Sequence, residues 1–546
     1  MDGVFLEPAR LGLERSRGIW PDRVISEYFD RWLQEKPEAT AIISYREELG
    51  TTTRLSWRDL GDAVSRITVG LSARGVVKGD VVSVQLPNCW QFVAVHLACV
   101  RIGAITNPLM PIFRMREMAF MVRHAESKVL IVPHRFRGFD HAALGRELQG
   151  QLPSLRHVIV IDDEGTTDGY ETFAAAFGSS GDGGEAAASR GTALAPNDVM
   201  QLLYTSGTTG ESKGVLHTSN TLLGTILQFV KRMELEASDV IFMPSPLAHQ
   251  VGFAYGITMA LILGAPIVLL DVWNAARAVE LMEQHRATVI FAATPFLADL
   301  ANFPGVESRR LDAFRLFITS GAPIPPVLVE RAQKALHVTV IASWGMTECC
   351  SATTTLLSGH KAMESDGCTM PGMEVRIVDS NGAEAPRGQP GALKCRGAAL
   401  FVGYLKRPHL YAVDAEGWFD TGDIARMDEE GYIRICGREK DIIIRGGENI
   451  PVVEVESAIY KMPQVSEVAI VAMPDARMQE RACAFVTLRP GQRLSFDELR
   501  SHLAGEGLSK HFWPERLEIL EQMPCTPTGK IQKFVLREMA KALSVA

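Results

Sequence analysis

The chain has no apolar run long enough to cross a bilayer. Its longest, Ile257–Leu270, is broken by Gly264 and Pro266 and falls short of the roughly 20 residues a membrane helix requires. It reads as a buried helix end, a turn and a strand. A basic excess is also missing: 56 Lys and Arg against 64 Asp and Glu leave a net charge of −8, which offers no footprint for nucleic acid or an anionic membrane. Nine cysteines are scattered without a C-x-x-C pair. An odd, unspaced set argues against a disulfide framework or a zinc site and fits reduced thiols in a cytoplasm. Arg10, Arg15 and Arg17 precede no apolar stretch, so no signal peptide is expected. What remains is an ordinary soluble balance, 47% hydrophobic and 22% charged over 546 residues, enough chain for two or more domains.

The hydrophobic pattern predicts an α/β fold. Strand-like Val81–Leu86, Ala104–Leu109 and Lys128–Val132 alternate with helical Trp90–Ile102 and Met115–His124. The order returns with Val240–Met243, Phe253–Leu263, Pro266–Leu270, Ala275–Arg286 and Thr288–Ala292. Such alternation implies parallel strands with helices on both faces, here as two similar βαβαβ-type subdomains. Gly178–Ser189 reads as a surface loop. From about Gly372 short alternating strands, Glu374–Val378, Gly391–Cys395 and Tyr432–Cys436, predict a small β-rich subdomain. Beyond Asp441 a helix at Val452–Met462, strands at Glu467–Met473 and Ala482–Leu488, and a helical stretch after Lys530 predict a separate α+β lid. The expected domains are 1–437, a joint at 438–441 and a lid at 442–546.

One run carries chemistry on its face: Tyr204-Thr-Ser-Gly-Thr-Thr-Gly-Glu-Ser-Lys-Gly-Val215. Its glycines let backbone approach a ligand. Backbone N–H groups, hydroxyls and Lys213 together suit a polyphosphate. A Walker A loop requires G-x-x-x-x-G-K-[S/T]; here Ser212 precedes the lysine and Gly214 follows it, so that reading fails. A plain polar linker is the other alternative.

The run resembles the phosphate loop of the acyl-adenylating superfamily: acyl-CoA synthetases, peptide-synthetase adenylation domains and beetle luciferases. Further motifs follow in that family's order. Pro246-Leu-Ala-His-Gln-Val-Gly-Phe253 resembles the acyl-pocket motif, and Thr319-Ser-Gly-Ala-Pro323 and Ser343-Trp-Gly-Met-Thr-Glu348 the adenine and magnesium motifs. Gly417-Trp-Phe-Asp-Thr-Gly-Asp423 resembles the ribose motif, Gly437-Arg-Glu-Lys-Asp441 the hinge, Gly446-Gly-Glu-Asn449 the segment beyond it, and Pro524-Cys-Thr-Pro-Thr-Gly-Lys530 the C-terminal lysine loop. The similarity runs from about Ile25 to the end.

Activating a carboxylate requires no base, because the acid is already ionised at neutral pH. The work is positioning and charge neutralisation. The resemblance implies Lys530 as the adenylation lysine, with Thr347 on the α-phosphate and Glu348 as the magnesium ligand. ATP and AMP would be held by Thr205, Ser206, Gly207, Thr208, Thr209, Gly210, Lys213, Gly321, Ala322, Pro323, Ser343, Trp344, Gly345, Met346 and Thr347. Asp423 and Arg438 resemble the ribose-holding residues; taken singly, Asp423 is equally a turn or cap residue. Trp344 stands where the family more often has Tyr, keeping a flat face but losing the phenol. Lys440 matches the hinge. Gly446, Gly447 and Glu448 would lie on the coenzyme A side, although a tight Gly-Gly turn reads equally well.

For the acyl pocket the resemblance implies His249, Gln250, Val251, Phe253, Phe296 and Gly345. Val251, Phe253 and Phe296 suit an apolar acid. The pattern, including Pro108-Leu-Met-Pro-Ile-Phe113 and Ile442-Ile-Ile-Arg-Gly-Gly-Glu-Asn-Ile450, is most similar to cyclohexanecarboxylate-CoA ligases and short- and medium-chain fatty acid-CoA ligases. The expected reaction is therefore carboxylate, ATP and coenzyme A to acyl-CoA, AMP and pyrophosphate, with Mg²⁺. The alternatives are an enzyme that loads an acyl carrier protein, a ligase for another fatty or aromatic acid, a luciferase-like oxygenase and a non-catalytic nucleotide sensor. A lysine acetyltransferase and deacetylase acting on Lys530 are expected partners, since acetylation would remove its charge; a homodimer is a further expectation.

Overall fold

The computed structural model describes residues 3–162, 165, 169–178, 193–205, 212–322, 324–358, 361–445, 448–475, 477–526 and 529–544. For Lys440, Glu448, Asn449 and Ser544 it describes backbone only. The expected surface loop at Gly178–Ser189 lies almost entirely outside these residues.

Two large sheets form the first part of the chain. One has seven strands, in the order Lys213–Thr218, Val199–Thr205, Ile105–Pro108, Val81–Val84, Val129–Pro133, His157–Ile161 and Glu171–Thr172. The other has nine, running from Cys368–Thr369 and Cys350–Thr354 through Thr339–Met346, Leu316–Ser320, Val289–Ala293, Ile241–Met243 and Ile267–Leu270 to Thr40–Arg46 and Thr51–Ser56. Pairing is parallel through the middle of both, antiparallel at both edges of the nine-stranded sheet and at the Lys213–Thr218 edge of the other, whose Glu171–Thr172 edge is parallel. The strands expected from the two alternating stretches are present to within about two residues at each end.

The largest core fills the space between these sheets. Trp90–Ile102 runs through it, buried at nearly every position; a helix apolar all round has to be enclosed. The segment expected as one helix at Phe253–Leu263 is instead a π-helix, Val251–Thr258, that continues as the α-helix Met259–Leu263. Pattern spacing does not separate the two, because both place the same residues in the core.

The β-rich subdomain has four strands: Met373–Val378, Gly391–Gly397, Phe419–Met427 and Ile433–Arg438. The alternating pattern predicts three of them, and Asp423 taken singly reads equally as a turn or cap residue. Gly422 and Asp423 mask the alternation, yet Asp423 lies inside a strand, opposite Arg438. Glu439–Asp441 form one 3-10 turn before Ile443–Arg445. In the C-terminal part Val465–Asp475 pairs with Gln479–Leu488, and helices Val452–Tyr460 and Lys533–Ser544 pack on that sheet. The same part also holds helix Phe496–Gly505, capped by Ser495 and Glu498, and the short strands Ile443–Arg445, Glu448–Ile450 and Arg516–Leu520; the apolar pattern predicts neither the helix nor the last two strands.

Residues 3–24 form a strap across residues 397–411. Phe5 N–H donates to Val402 O at 2.6 Å, Trp20 Nε1 to Ala398 O at 3.0 Å, and Phe5 stacks on Tyr411. The early arginines serve this strap: Arg10 donates to Phe401 O at 3.1 Å, and Arg15 pairs with Asp22.

The hairpin of Thr339–Met346 and Cys350–Thr354 slips register at Gly345, where an added Cβ would overlap the Cys350 carbonyl oxygen. Glycine is required there by backbone approach alone. Gly345→Ala is expected to cost about 1–3 kcal/mol or more, read as a lower midpoint of the first thermal unfolding transition.

Candidate active site

The ends of several strands meet on one side of the large sheets. Thr205 and Lys213 are directly paired, closing the hairpin that carries the glycine-rich run. Ser206, Gly207, Thr208, Thr209 and Gly210 lie outside the described residues, as do Pro323, Gly446 and Gly447. Lys213 opens a strand rather than sitting in the loop, and its Nζ stands 5.1 Å from the centre of the Tyr404 ring.

Glu348 follows the strand Thr339–Met346 and is 5% exposed. The Tyr404 phenol donates to its Oε1 at 2.8 Å. Burial pushes the Glu348 carboxyl above the usual carboxylate range, while the Tyr404 hydrogen bond and then the charges of Lys213 and Arg438 pull it back. Thr347 next to it is held through its backbone: His217 donates from Nε2 to Thr347 O at 2.7 Å. A carbonyl only accepts, so Nε2 bears the proton, and Nδ1 faces Thr221 Oγ1 at 3.0 Å. Full burial lowers His217 to about 4.

Asp423 is 4% exposed and both its oxygens are engaged. Arg438 Nε lies 2.7 Å from Oδ1, and Trp344 Nε1 donates to Oδ2 at 2.9 Å. The indole thus supplies a polar contact of its own in place of the phenol. Ser343 Oγ is spent inside the hairpin, on Ser351 Oγ and Thr353 O at 3.0 Å each. Gly321 follows Leu316–Ser320 with a φ of +81° and open space beyond its Cα. Ala322 O accepts a long hydrogen bond from Thr294.

His249, Gln250, Val251 and Phe253 are consecutive in space at the start of the π-helix. Phe253 N–H donates to His249 O at 2.9 Å, and its ring meets His96 edge-on at 4.6 Å. Gln250 Nε2 donates to Cys350 Sγ at 3.2 Å. Phe296 goes elsewhere. Its ring packs on Trp273 at 4.7 Å, in the core cluster formed with the helices that cover the nine-stranded sheet. It lies on the helix Thr294–Ala301, whereas Phe253 belongs instead to the core between the sheets.

Lys530 is far from His249 in sequence yet close enough in space for its charge to act on that residue. Its turn is closed by Thr526 N–H to Lys530 O at 2.7 Å and Lys530 N–H to Thr526 Oγ1 at 3.1 Å. Gly529 has a φ of +76°, and a Cβ there would stand 2.8 Å from Pro295 Cγ, so the turn rests directly on the start of Thr294–Ala301. Burial lowers His249 to about 4, and the positive charge of Lys530 adds to that shift. Arg537 pairs with Asp441 at 2.5 Å, tying the last helix to the turn between the two parts of the chain. The backbone of Lys440 lies in that turn and Glu448 opens the next strand.

Among the described residues no group of three or more His, Cys, Asp or Glu could hold a metal by itself. One buried carboxylate beside a threonine suits Mg²⁺, a hard ion that takes its other ligands from phosphate and water. His217 and Tyr404 are the residues missed by reading the sequence. A lone histidine in an apolar strand is ordinarily a satisfied core residue, and nothing in the spacing ties Tyr404 to Glu348, 56 positions away.

Two family models match the chain: AMP-binding enzyme over residues 29–405 and AMP-binding enzyme C-terminal domain over 454–530. The medium-chain fatty-acid–CoA ligase of Escherichia coli (strain K12) is 34% identical over 529 residues, 96% of this chain and 92% of that one. ATP-bound MatB from Rhodopseudomonas palustris is similar with a TM-score of 0.82 at 26% identity, covering 96% of this chain and 100% of that one. Apo MatB from the same organism gives 0.71 at 27%, covering 95% and 99%.

His217 yields a pH prediction. Its folded value, about 4, lies below its ordinary 6.5, so the unfolded chain takes up the proton first. Its share of stability is complete above pH 6.5 and is lost as pH falls toward 4, on the order of 2–3 kcal/mol. His217→Gln keeps a donor for Thr347 and should flatten this part of the curve of unfolding midpoint against pH. An unchanged curve would show that His217 does not titrate in the unfolding equilibrium.

Proposed function

This chain belongs to the AMP-binding enzyme family and is an AMP-forming acyl-CoA ligase using ATP, Mg²⁺ and coenzyme A; from that premise we propose that its acid is a medium-chain or alicyclic carboxylate, cyclohexanecarboxylate included. The observation that carries this reading is the character of Pro246–Phe253. His249 is its only titratable side chain, and burial keeps it uncharged at neutral pH. A second carboxylate or an amine on the substrate would find no countercharge in that stretch, whereas an alkyl chain or saturated ring meets Val251 and Phe253. The medium-chain acid named for the E. coli relative agrees with it.

The reaction has two displacements. A carboxylate oxygen attacks the α-phosphorus of ATP, and the bond to pyrophosphate breaks. The coenzyme A sulfur then attacks the acyl carbon, its proton is lost, and AMP leaves. When bound, the magnesium ion neutralises phosphate charge. Lys530 brings its positive charge to the carboxylate and the α-phosphate. Thr347 and Glu348 serve the α-phosphate and the ion, Asp423 and Arg438 the ribose hydroxyls, and Gly321 and Ala322 the adenine. Lys213 and the glycine-rich run hold the departing phosphates. Residues 1–437 and 442–546 act as two bodies about a hinge at 438–441. The lid arrangement seen in this chain suits the first half-reaction, because Lys530 stands beside His249 on the Pro295 ledge. The higher TM-score to ATP-bound than to apo MatB supports the same assignment. Acetylation of Lys530 would remove the charge this step depends on and so switch the enzyme off.

Two experiments test these assignments. Pyrophosphate release across a panel of carboxylic acids with coenzyme A present should peak at apolar acids of medium length or with one saturated ring. A preference for dicarboxylic or amino acids would overturn the substrate class. Lys530→Ala should lower acyl-AMP formation by about 10²–10³-fold while largely sparing coenzyme A transfer from supplied acyl-AMP; equal loss in both half-reactions would refute its role.

A further inference from the structure

Glu348 is tied down by groups distant from it in sequence. Its backbone oxygen accepts from Phe401 N–H at 2.7 Å, and its carboxylate accepts from the Tyr404 phenol at 2.8 Å. Tyr404 is 1% exposed and is itself fixed. Phe401 packs edge-on against its ring at 4.6 Å, and residues 402–405 run beside the strand Lys213–Thr218. Val402 N–H donates to Leu216 O at 2.9 Å, Leu216 N–H to Gly403 O at 3.0 Å, and Leu405 N–H to Gly214 O at 2.8 Å. The N-terminal strap backs this segment from the other side through Phe5 and Arg10.

We propose that Tyr404 is a positioning residue for magnesium: its phenol fixes one oxygen of Glu348, so that the other is presented to an ion shared with the nucleotide phosphates. The inference rests on Glu348 being the metal ligand, as assigned above. A carboxylate hinged about its own bonds offers either oxygen in many directions. One strong hydrogen bond from a rigid donor removes most of that freedom. The same contact joins the ion's ligand to the strand that begins at Lys213, so the two groups that meet the phosphates share one support.

Tyr404→Phe keeps the ring and removes only the donor. Half-saturating Mg²⁺ for acid-dependent pyrophosphate release is expected to rise about tenfold, with KM for the acid unchanged. Binding of Mn²⁺ in the presence of ATP and no acid, followed by electron paramagnetic resonance, should weaken by a similar factor. If the phenol served packing alone, the variant would lose thermal stability or kcat while both ion titrations stayed as in the wild type, and that result overturns the proposal. Glu348→Gln is measured alongside. Should it leave Mn²⁺ binding unchanged, Glu348 is not the ligand and the proposal falls with that assignment. Should it weaken Mn²⁺ while Tyr404→Phe does not, the proposal alone falls.

Discussion

Two carboxylates at the centre of this enzyme, Glu348 and Asp423, are almost entirely out of water, and each has to find donors where water would have been. An unpaired buried charge costs several kcal/mol, so the donors are structural requirements. Asp423 takes an indole N–H and a guanidinium; Glu348 takes a phenol, with Lys213 and Arg438 contributing charge at longer range. A third carboxylate, Asp366, accepts from Ile435 N–H at 2.8 Å behind them. These needs draw the stretches 213–218, 343–348, 401–405 and 423–438 to one place.

Neutral donors dominate the immediate supports. Trp344, Tyr404 and His217 hold Asp423, Glu348 and Thr347 without adding a charge of their own, since burial keeps His217 neutral and Tyr404 protonated. That matters in a site that must accept a polyphosphate, where each fixed charge changes the field the substrate meets. The cations that do approach, Lys213, Arg438 and Lys530, come from three different parts of the chain. Lys530 arrives on a turn whose glycine lets it rest on Pro295. Its position is therefore set by contact between the two parts of the chain.

The alternating sheet-and-helix order was legible because periodicity reports burial directly, and Trp90–Ile102 and Val129–Pro133 sit where the apolar pattern put them. Periodicity failed where backbone geometry outweighs it. The ribose-motif strand Phe419–Met427 is interrupted by Gly422, and the π-helix Val251–Thr258 has the same apolar content as an α-helix. Phe296 fits an apolar pocket by residue type, yet its helix aims it at Trp273 in a different core. Gly345 belongs to a motif by resemblance, and the backbone of its own hairpin already requires a glycine there.

By itself the sequence determined the reaction class, through an ordered set of motifs whose residue types suit phosphate, ribose and carboxylate. Its resemblance to the acyl-adenylating superfamily also singled out Lys530, far along the chain, and the fold sets the turn of Lys530 against Pro295. Only the tertiary structure decided what holds those residues still. The hydrogen bonds from His217 to Thr347, Tyr404 to Glu348 and Trp344 to Asp423 span 130, 56 and 79 positions. Contacts of that range leave no spacing in a sequence, because they are fixed by how sheets pack and by the cost of an unpaired polar group between them.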